Sequence, residues 1–376
     1  MSKRIYADHA ATTPLDPRAL EAMLPFLTAQ YYNPSALYPE AGEVRAAVEA
    51  ARSGVMGLIG GAGRIIFTGS GTEAANLALR SAVSAFRGSP ARILVSAVEH
   101  HAVLNCADSL ASEGFTVEHL PVDRHGAVAP DTLRARMKPG TALVSVMSVN
   151  NETGAINDTA SLCRIAHDCG AKFHTDAVQA LGVLPLDAAA LGADYISVSA
   201  HKIYGPKGVG ALYAAPGAPV FPVIRGGKQE NGARAGTENT AGIAGFGRAA
   251  VILRERLAED AAHLARLKQI FLDGIAAIPD LIVNSPPDGA PHIISVSVAG
   301  VEAEGCLLRL SMAGILASMG AACNASSIEP SHVVEAIGVP AAYRRGTMRF
   351  SFGRDNTKED AAFAARDLAS VIAKSR

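Results

Sequence analysis

The chain has no CxxC pair, and its five cysteines, Cys106, Cys163, Cys169, Cys306 and Cys323, are scattered and odd in number. That spacing argues against a disulfide framework, against a structural zinc site and against a cysteine-ligated metal or iron–sulfur carrier. No run of apolar residues is long enough to span a bilayer. The opening stretch MSKRIYADHAATTP holds no apolar segment of the kind a signal peptide carries. With 34 basic and 35 acidic residues the net charge is −1, which gives no general attraction to nucleic acid or anionic membrane. Repeats and low-complexity segments are also lacking. The expectation is a cytoplasmic protein with neither a nucleic-acid nor a membrane partner.

What the chain does have is enough length, 376 residues, for two domains, and 36 glycines for tight turns and close backbone approaches. Short apolar runs at 64–69, 92–97, 142–149, 172–177, 194–200 and 208–214 read as strands. Amphipathic segments such as 73–86 and 159–170 lie between them, and another helix is expected near 17–29. Val/Ile-rich strands alternating with helices imply a largely parallel sheet covered on both faces. From about Gly247 the pattern changes to one long helical stretch, with room for a break, and then to strands at 292–299 and 347–353, a helix near 303–313 and a terminal helix from Thr357.

Open parallel sheets bind ligands beyond the carboxyl ends of their strands. Polar clusters fall there after five of the runs: GSGT, VEHH, NNETG, TDAVQ and SAHKIYGPKG. Lys202, directly after an apolar strand, suits a Schiff base with an aldehyde cofactor, although position alone favours a surface lysine. Asp176 suits a protonated pyridine nitrogen or a helix N-cap, with Gln179 one helical turn on. The glycine turn before EAANLAL suits a phosphate, through backbone N–H groups and the Thr72 hydroxyl, or simply a well-capped helix. One of His100 and His101 suits stacking on a planar ring and moving protons. Arg349 suits a substrate carboxylate or a strand surface. Cys323 stands apart, in the small-residue stretch GAACNASSIEPS, which reads as a loop. The other four cysteines lie in helical patterns and read as buried and inert.

Taken together, HKIYGPKG, HTDAVQ, VNNETG, RAGTEN and CNASSIEPSHV resemble the cysteine desulfurases of the NifS/IscS type, within the class V aminotransferases. The resemblance implies fold type I of the pyridoxal 5′-phosphate (PLP) enzymes: an α/β fold with a mainly parallel sheet sandwiched by helices, plus a smaller α/β C-terminal domain. It places the large, cofactor-binding domain at 15–260 and the small domain, with the Cys323 loop, at 1–14 and 261–376. It implies Lys202 as the PLP-binding lysine and acid–base, Asp176 as partner of the pyridine nitrogen, and Gln179 and Asn151 on the ring oxygen. His100 would stack on the ring. Gly71, Thr72, Ser199 and His201 would hold the phosphate, with Thr237 donated by the other subunit of a homodimer. Asn33 and Arg349 would bind the substrate carboxylate.

The implied reaction converts L-cysteine to L-alanine and leaves a persulfide on Cys323, for delivery to a sulfur-acceptor protein such as an iron–sulfur scaffold. A loop of small residues answers the need of one thiol to meet both substrate and acceptor. The chain ends soon after its last helical pattern, whereas housekeeping members carry a longer tail that helps engage the scaffold, so nitrogenase assembly and tRNA thiolation stay open as destinations. Selenocysteine lyase chemistry, or another fold type I activity such as aminotransfer, is the alternative.

Overall fold

The computed structural model describes residues 4–86, 88, 91–320 and 330–376. Cys323 lies outside them. The strands, in chain order, are β1 (Ile5–Tyr6), β2 (Arg64–Thr68), β3 (Arg92–Ser96), β4 (Thr116–Leu120), β5 (Thr141–Ser145), β6 (Lys172–Asp176), β7 (Tyr195–Ser199), β8 (Gly210–Ala214), β9 (Leu281–Val283), β10 (Ile293–Val298), β11 (Ile315–Leu316) and β12 (Thr347–Ser351).

Seven of them form one sheet in the order β2-β8-β7-β6-β5-β3-β4. β7, β6, β5, β3 and β4 run parallel, and β8 alone is antiparallel to its neighbours β7 and β2. The expectation of a largely parallel sheet thus holds with one reversed strand. Alternate residues feed two cores. Ile66, Ile93, Val95, Leu143 and Tyr195 pack with helices Gly71–Ala82 and His101–Ser112 on one face. Ile65, Phe67, Leu94, Val144 and Ile196 face the other, with helices Pro39–Ile59, Thr159–Asp168 and part of Thr240–Ile275. This two-residue alternation is what a sheet covered on both sides requires.

Among the elements that escaped the sequence pattern are two that belong to the large sheet and its cover. β4 is an edge strand whose Glu118 and His119 interrupt the apolar signal. The 21-residue helix Pro39–Ile59 starts on a proline and buries Ala41, Val44, Val48, Ala51 and Val55 at helical spacing.

The long stretch, in which a break was allowed for, is one continuous 36-residue helix, Thr240–Ile275. The expected boundary at residue 260 falls inside it. Its later half buries Phe271 against Phe350 and Phe352, ring centroids 4.6 and 5.7 Å away. Around these rings lie the antiparallel sheet β12-β10-β9 and helices Ala303–Met312 and Lys358–Ala373. β1 pairs parallel with β11, which ties the start of the chain to this later half. Helix Pro17–Thr28 packs on the long helix. No helix among the described residues is long and apolar enough to cross a membrane.

Candidate functional site

The polar clusters after β2, β3, β5, β6 and β7 line one cleft, with a volume of about 260 Å³. The single-turn helix Ala200–Lys202 follows β7 and aims Lys202 into it. A Cβ on Gly205 would lie 2.8 Å from the Ala200 carbonyl oxygen, so the turn that closes this segment needs glycine. Lys202 Nζ donates to the carbonyl oxygen of Ala10 and, at 2.7 Å, to that of Ala11. These carbonyls belong to a segment fastened to the same turn: Thr13 N–H and Thr13 Oγ1 both donate to the His201 carbonyl at 3.0 Å.

Asp176, the last residue of β6, is buried and accepts the Val178 N–H at Oδ1, 2.9 Å away. Burial raises its pKa to about 6; the Val178 N–H and the Lys202 charge pull the other way. A buried carboxylate so placed is poised to gain from a cationic partner. His100 caps helix His101–Ser112, its Nδ1 accepting the Ala102 N–H at 3.1 Å. That bond puts the imidazole proton on Nε2. Burial, together with the charges of Lys202, His101 and His332, lowers the His100 pKa to about 4, so the ring is neutral at pH 7.

Opposite lies the start of helix Gly71–Ala82. Ser70 Oγ caps it by accepting the Glu73 N–H, and Glu73 Oε2 accepts the Gly69 N–H. First-turn N–H groups have no partners within their own helix, which makes this end receptive to an anion. A Cβ on Gly71 would lie 2.9 Å from Val178 Cγ2 and 3.3 Å from Ser199 Cβ. Thr72, Ser199 and His201 border the same end of the cleft. Burial and the Lys202 charge lower the His201 pKa to about 4.

Arg349, in β12, reaches the cleft from the other half of the chain while only 2% exposed. Its Nη1 donates to the Asn151 carbonyl oxygen at 2.7 Å and its Nη2 to Asp8 Oδ1 at 2.9 Å. Its buried Nε has no partner among the described residues. A guanidinium has five N–H groups, so donors remain for a carboxylate.

Ten predicted residues therefore share the cleft: Gly71, Thr72, His100, Asn151, Asp176, Gln179, Ser199, His201, Lys202 and Arg349. Asn33 and Thr237 do not line it. Both are exposed, and Asn33 Oδ1 accepts the Ser35 N–H at 2.9 Å. Of the other cysteines, Cys106, Cys163 and Cys306 are buried, and burial raises the first two to about 11 and 12. Cys169 departs from expectation: it is exposed, because it sits at the C-terminal cap of helix Thr159–Asp168. Among the described residues, no three His, Cys, Asp or Glu side chains are grouped to hold a metal ion.

Among the side chains that sequence reasoning missed, four hold or border the cleft. Asp8 holds Arg349. Glu152 and His332 line the cleft, and the His332 and His101 ring centroids are 4.8 Å apart. Glu99 is fully buried beneath, with Oε1 accepting the Met147 N–H at 2.6 Å, and burial drives its pKa well up. Asp8, Glu99, Glu152 and His332 all fall within or beside the motifs YADHAATTP, VEHH, NNETG and EPSHV, the one signal that pointed to them.

Residues 5–362 match the family model for aminotransferase class-V. A cysteine desulfurase IscS of Dictyoglomus turgidum is 43% identical over all of this chain and 96% of its own. A solved NifS-like protein superposes with a TM-score of 0.93 at 34% identity, covering 99% of this chain and 100% of its own. A structure of SspA in complex with cysteine gives 0.83 at 32%, covering 94% and 100%. The chain belongs to the class V aminotransferase family, in its cysteine desulfurase group.

Proposed function

We propose that the chain is a PLP-dependent cysteine desulfurase, converting L-cysteine to L-alanine and passing the sulfur through a persulfide on Cys323 to an acceptor protein. One observation carries the reading: Lys202, Asp176, His100 and Arg349, from four separate segments, meet in a single cleft in a chain of this family.

The residues suit the cofactor. Buried Asp176 matches a protonated ring nitrogen, and Lys202 an aldehyde. The start of helix Gly71–Ala82, which borders the cleft and whose first-turn N–H groups have no partners within their own helix, matches a phosphate. Gln179 and Asn151 supply polar groups for the ring oxygen. When bound, PLP supplies an electron sink that acidifies the substrate's Cα–H. Lys202 Nζ takes that proton and returns a proton to the product. Asp176 holds the ring-nitrogen proton in place, and His100 keeps its own proton on Nε2, facing the cleft as a neutral donor. Arg349 orients the substrate through its carboxylate, and Asp8 holds Arg349. Cys323 accepts the sulfur.

Two copies are expected to assemble, with Thr237 of one serving the phosphate of the other. The exposed apolar side chains Leu24, Leu27, Tyr31 and Leu37 support such an interface. In the same reading, 15–260 forms the cofactor domain and 1–14 with 261–376 the small domain. Borohydride reduction of the holoenzyme followed by peptide mapping tests the cofactor assignment. A modified Lys202 peptide is expected; an unmodified one contradicts it.

A further inference from the structure

We infer that His292 is a positioning residue: it fixes the amide of Gln179 so that this side chain meets the cofactor as a hydrogen-bond donor. The inference rests on the PLP reading above. It starts from the Ala10 carbonyl, which can only accept. Gln179 Nε2 lies 2.8 Å from that oxygen, so the nitrogen end of the amide faces Ala10. The oxygen end then faces His292 Nε2 at 3.1 Å, and a bond forms only if Nε2 carries the ring proton. Burial holds the ring neutral, lowering its pKa to about 3. Hence Nδ1 is a bare acceptor, and it is buried with no partner among the described residues.

A second, smaller cavity of about 30 Å³ lies beside this pair. His292, His9, Gln179 and Lys202 line it. The backbone that carries the ring is fixed, because His292 leads directly into β10 and its carbonyl accepts the Phe352 N–H at 3.1 Å.

Gln179 also lines the main cleft. With its oxygen engaged by His292 and one N–H by Ala10, the group it has left to offer is the second N–H. A donor favours the ionised ring oxygen of the cofactor. Turning the amide over would set Oε1 against the Ala10 carbonyl, a mismatch that no tautomer of His292 relieves. Without His292, the buried amide oxygen loses its donor and seeks another. The cofactor's ring hydroxyl, in its protonated form, is the available one.

The test compares wild-type, His292→Leu and His292→Gln holoenzymes by cofactor absorbance, melting temperature, steady-state kinetics with cysteine and nitrogen NMR of the histidine rings. His292→Leu is expected to shift the cofactor spectrum toward the protonated ring oxygen. Its kcat should fall about five- to tenfold, the size of one net hydrogen bond, with KM little changed. His292→Gln keeps a donor and should recover the wild-type spectrum. In the wild type, the His292 proton should reside on Nε2. A folded His292→Leu enzyme with an unchanged spectrum, or a ring proton on Nδ1, overturns the inference. If His292→Leu does not fold, a folded His292→Gln without the wild-type spectrum overturns it equally. A wild-type protein with no cofactor band and no borohydride product contradicts the PLP reading instead and takes this inference with it.

Discussion

The Ser331 hydroxyl donates to Glu152 Oε1 at 2.7 Å, while Glu152 Oε2 is buried with no partner among the described residues. Burial raises the Glu152 pKa from 4.5 to about 7; the Ser331 bond and the Arg349 charge oppose this. The folded chain therefore binds this proton more tightly than the unfolded chain. The group's contribution to stability is fully present below pH 4.5 and is lost as pH rises to about 7. Glu152→Gln cannot titrate. Its melting temperature relative to wild type should climb between pH 5 and pH 7 and level off above. A constant difference across that range would show that Glu152 is ionised throughout.

Arg349→Lys keeps the charge but loses the planar fork that serves Asn151, Asp8 and a carboxylate together. KM for cysteine should rise about tenfold or more, the cost of one charged hydrogen bond. Asp8→Asn should give a smaller change of the same sign, since it loosens Arg349 without removing it. Steady-state kinetics at saturating PLP decides; an unchanged KM in Arg349→Lys places the substrate carboxylate elsewhere.

Gly71→Ala puts a methyl 2.9 Å from Val178 Cγ2 and 3.3 Å from Ser199 Cβ. The strain should cost about 1–3 kcal/mol in a denaturant titration. Weaker PLP binding is also expected, because the displaced groups border the phosphate end. Wild-type affinity for PLP in a destabilised Gly71→Ala would locate the phosphate away from this helix start.

Asp176→Asn keeps the shape of the side chain and removes its charge. The neutral amide cannot hold the ring-nitrogen proton, so kcat for alanine formation should fall roughly 100-fold or more. PLP should remain attached to Lys202. Near-normal kcat in this variant would rule out a role for Asp176 as the charge partner.

The legible part of the fold was the part built from repetition. Strands such as β3 and β7 read clearly because Val and Ile fill them on both faces. β8 reads as a strand for the same reason, but its reversed direction depends on which neighbours it joins, and no local residue states that. β4 was hidden because an edge strand carries polar side chains. In the site, Lys202 and Asp176 announced themselves by lying directly at strand ends. Glu152 and His292 did not, since a buried carboxylate or imidazole looks like any surface one until distant segments close over it. The Arg349–Asp8 pair spans 341 positions. The sequence offered each residue, but only packing joined them.

In the proposed reaction the Cys323 thiol takes the sulfur while the cleft around Lys202 prepares the substrate. The direct measurement follows alanine and protein-bound persulfide from L-cysteine, with wild type and Cys323→Ala side by side and PLP content confirmed in both. Wild type should yield both products, and Cys323→Ala should keep its PLP but form neither persulfide nor alanine at the wild-type rate. Undiminished alanine formation by PLP-loaded Cys323→Ala would contradict the account.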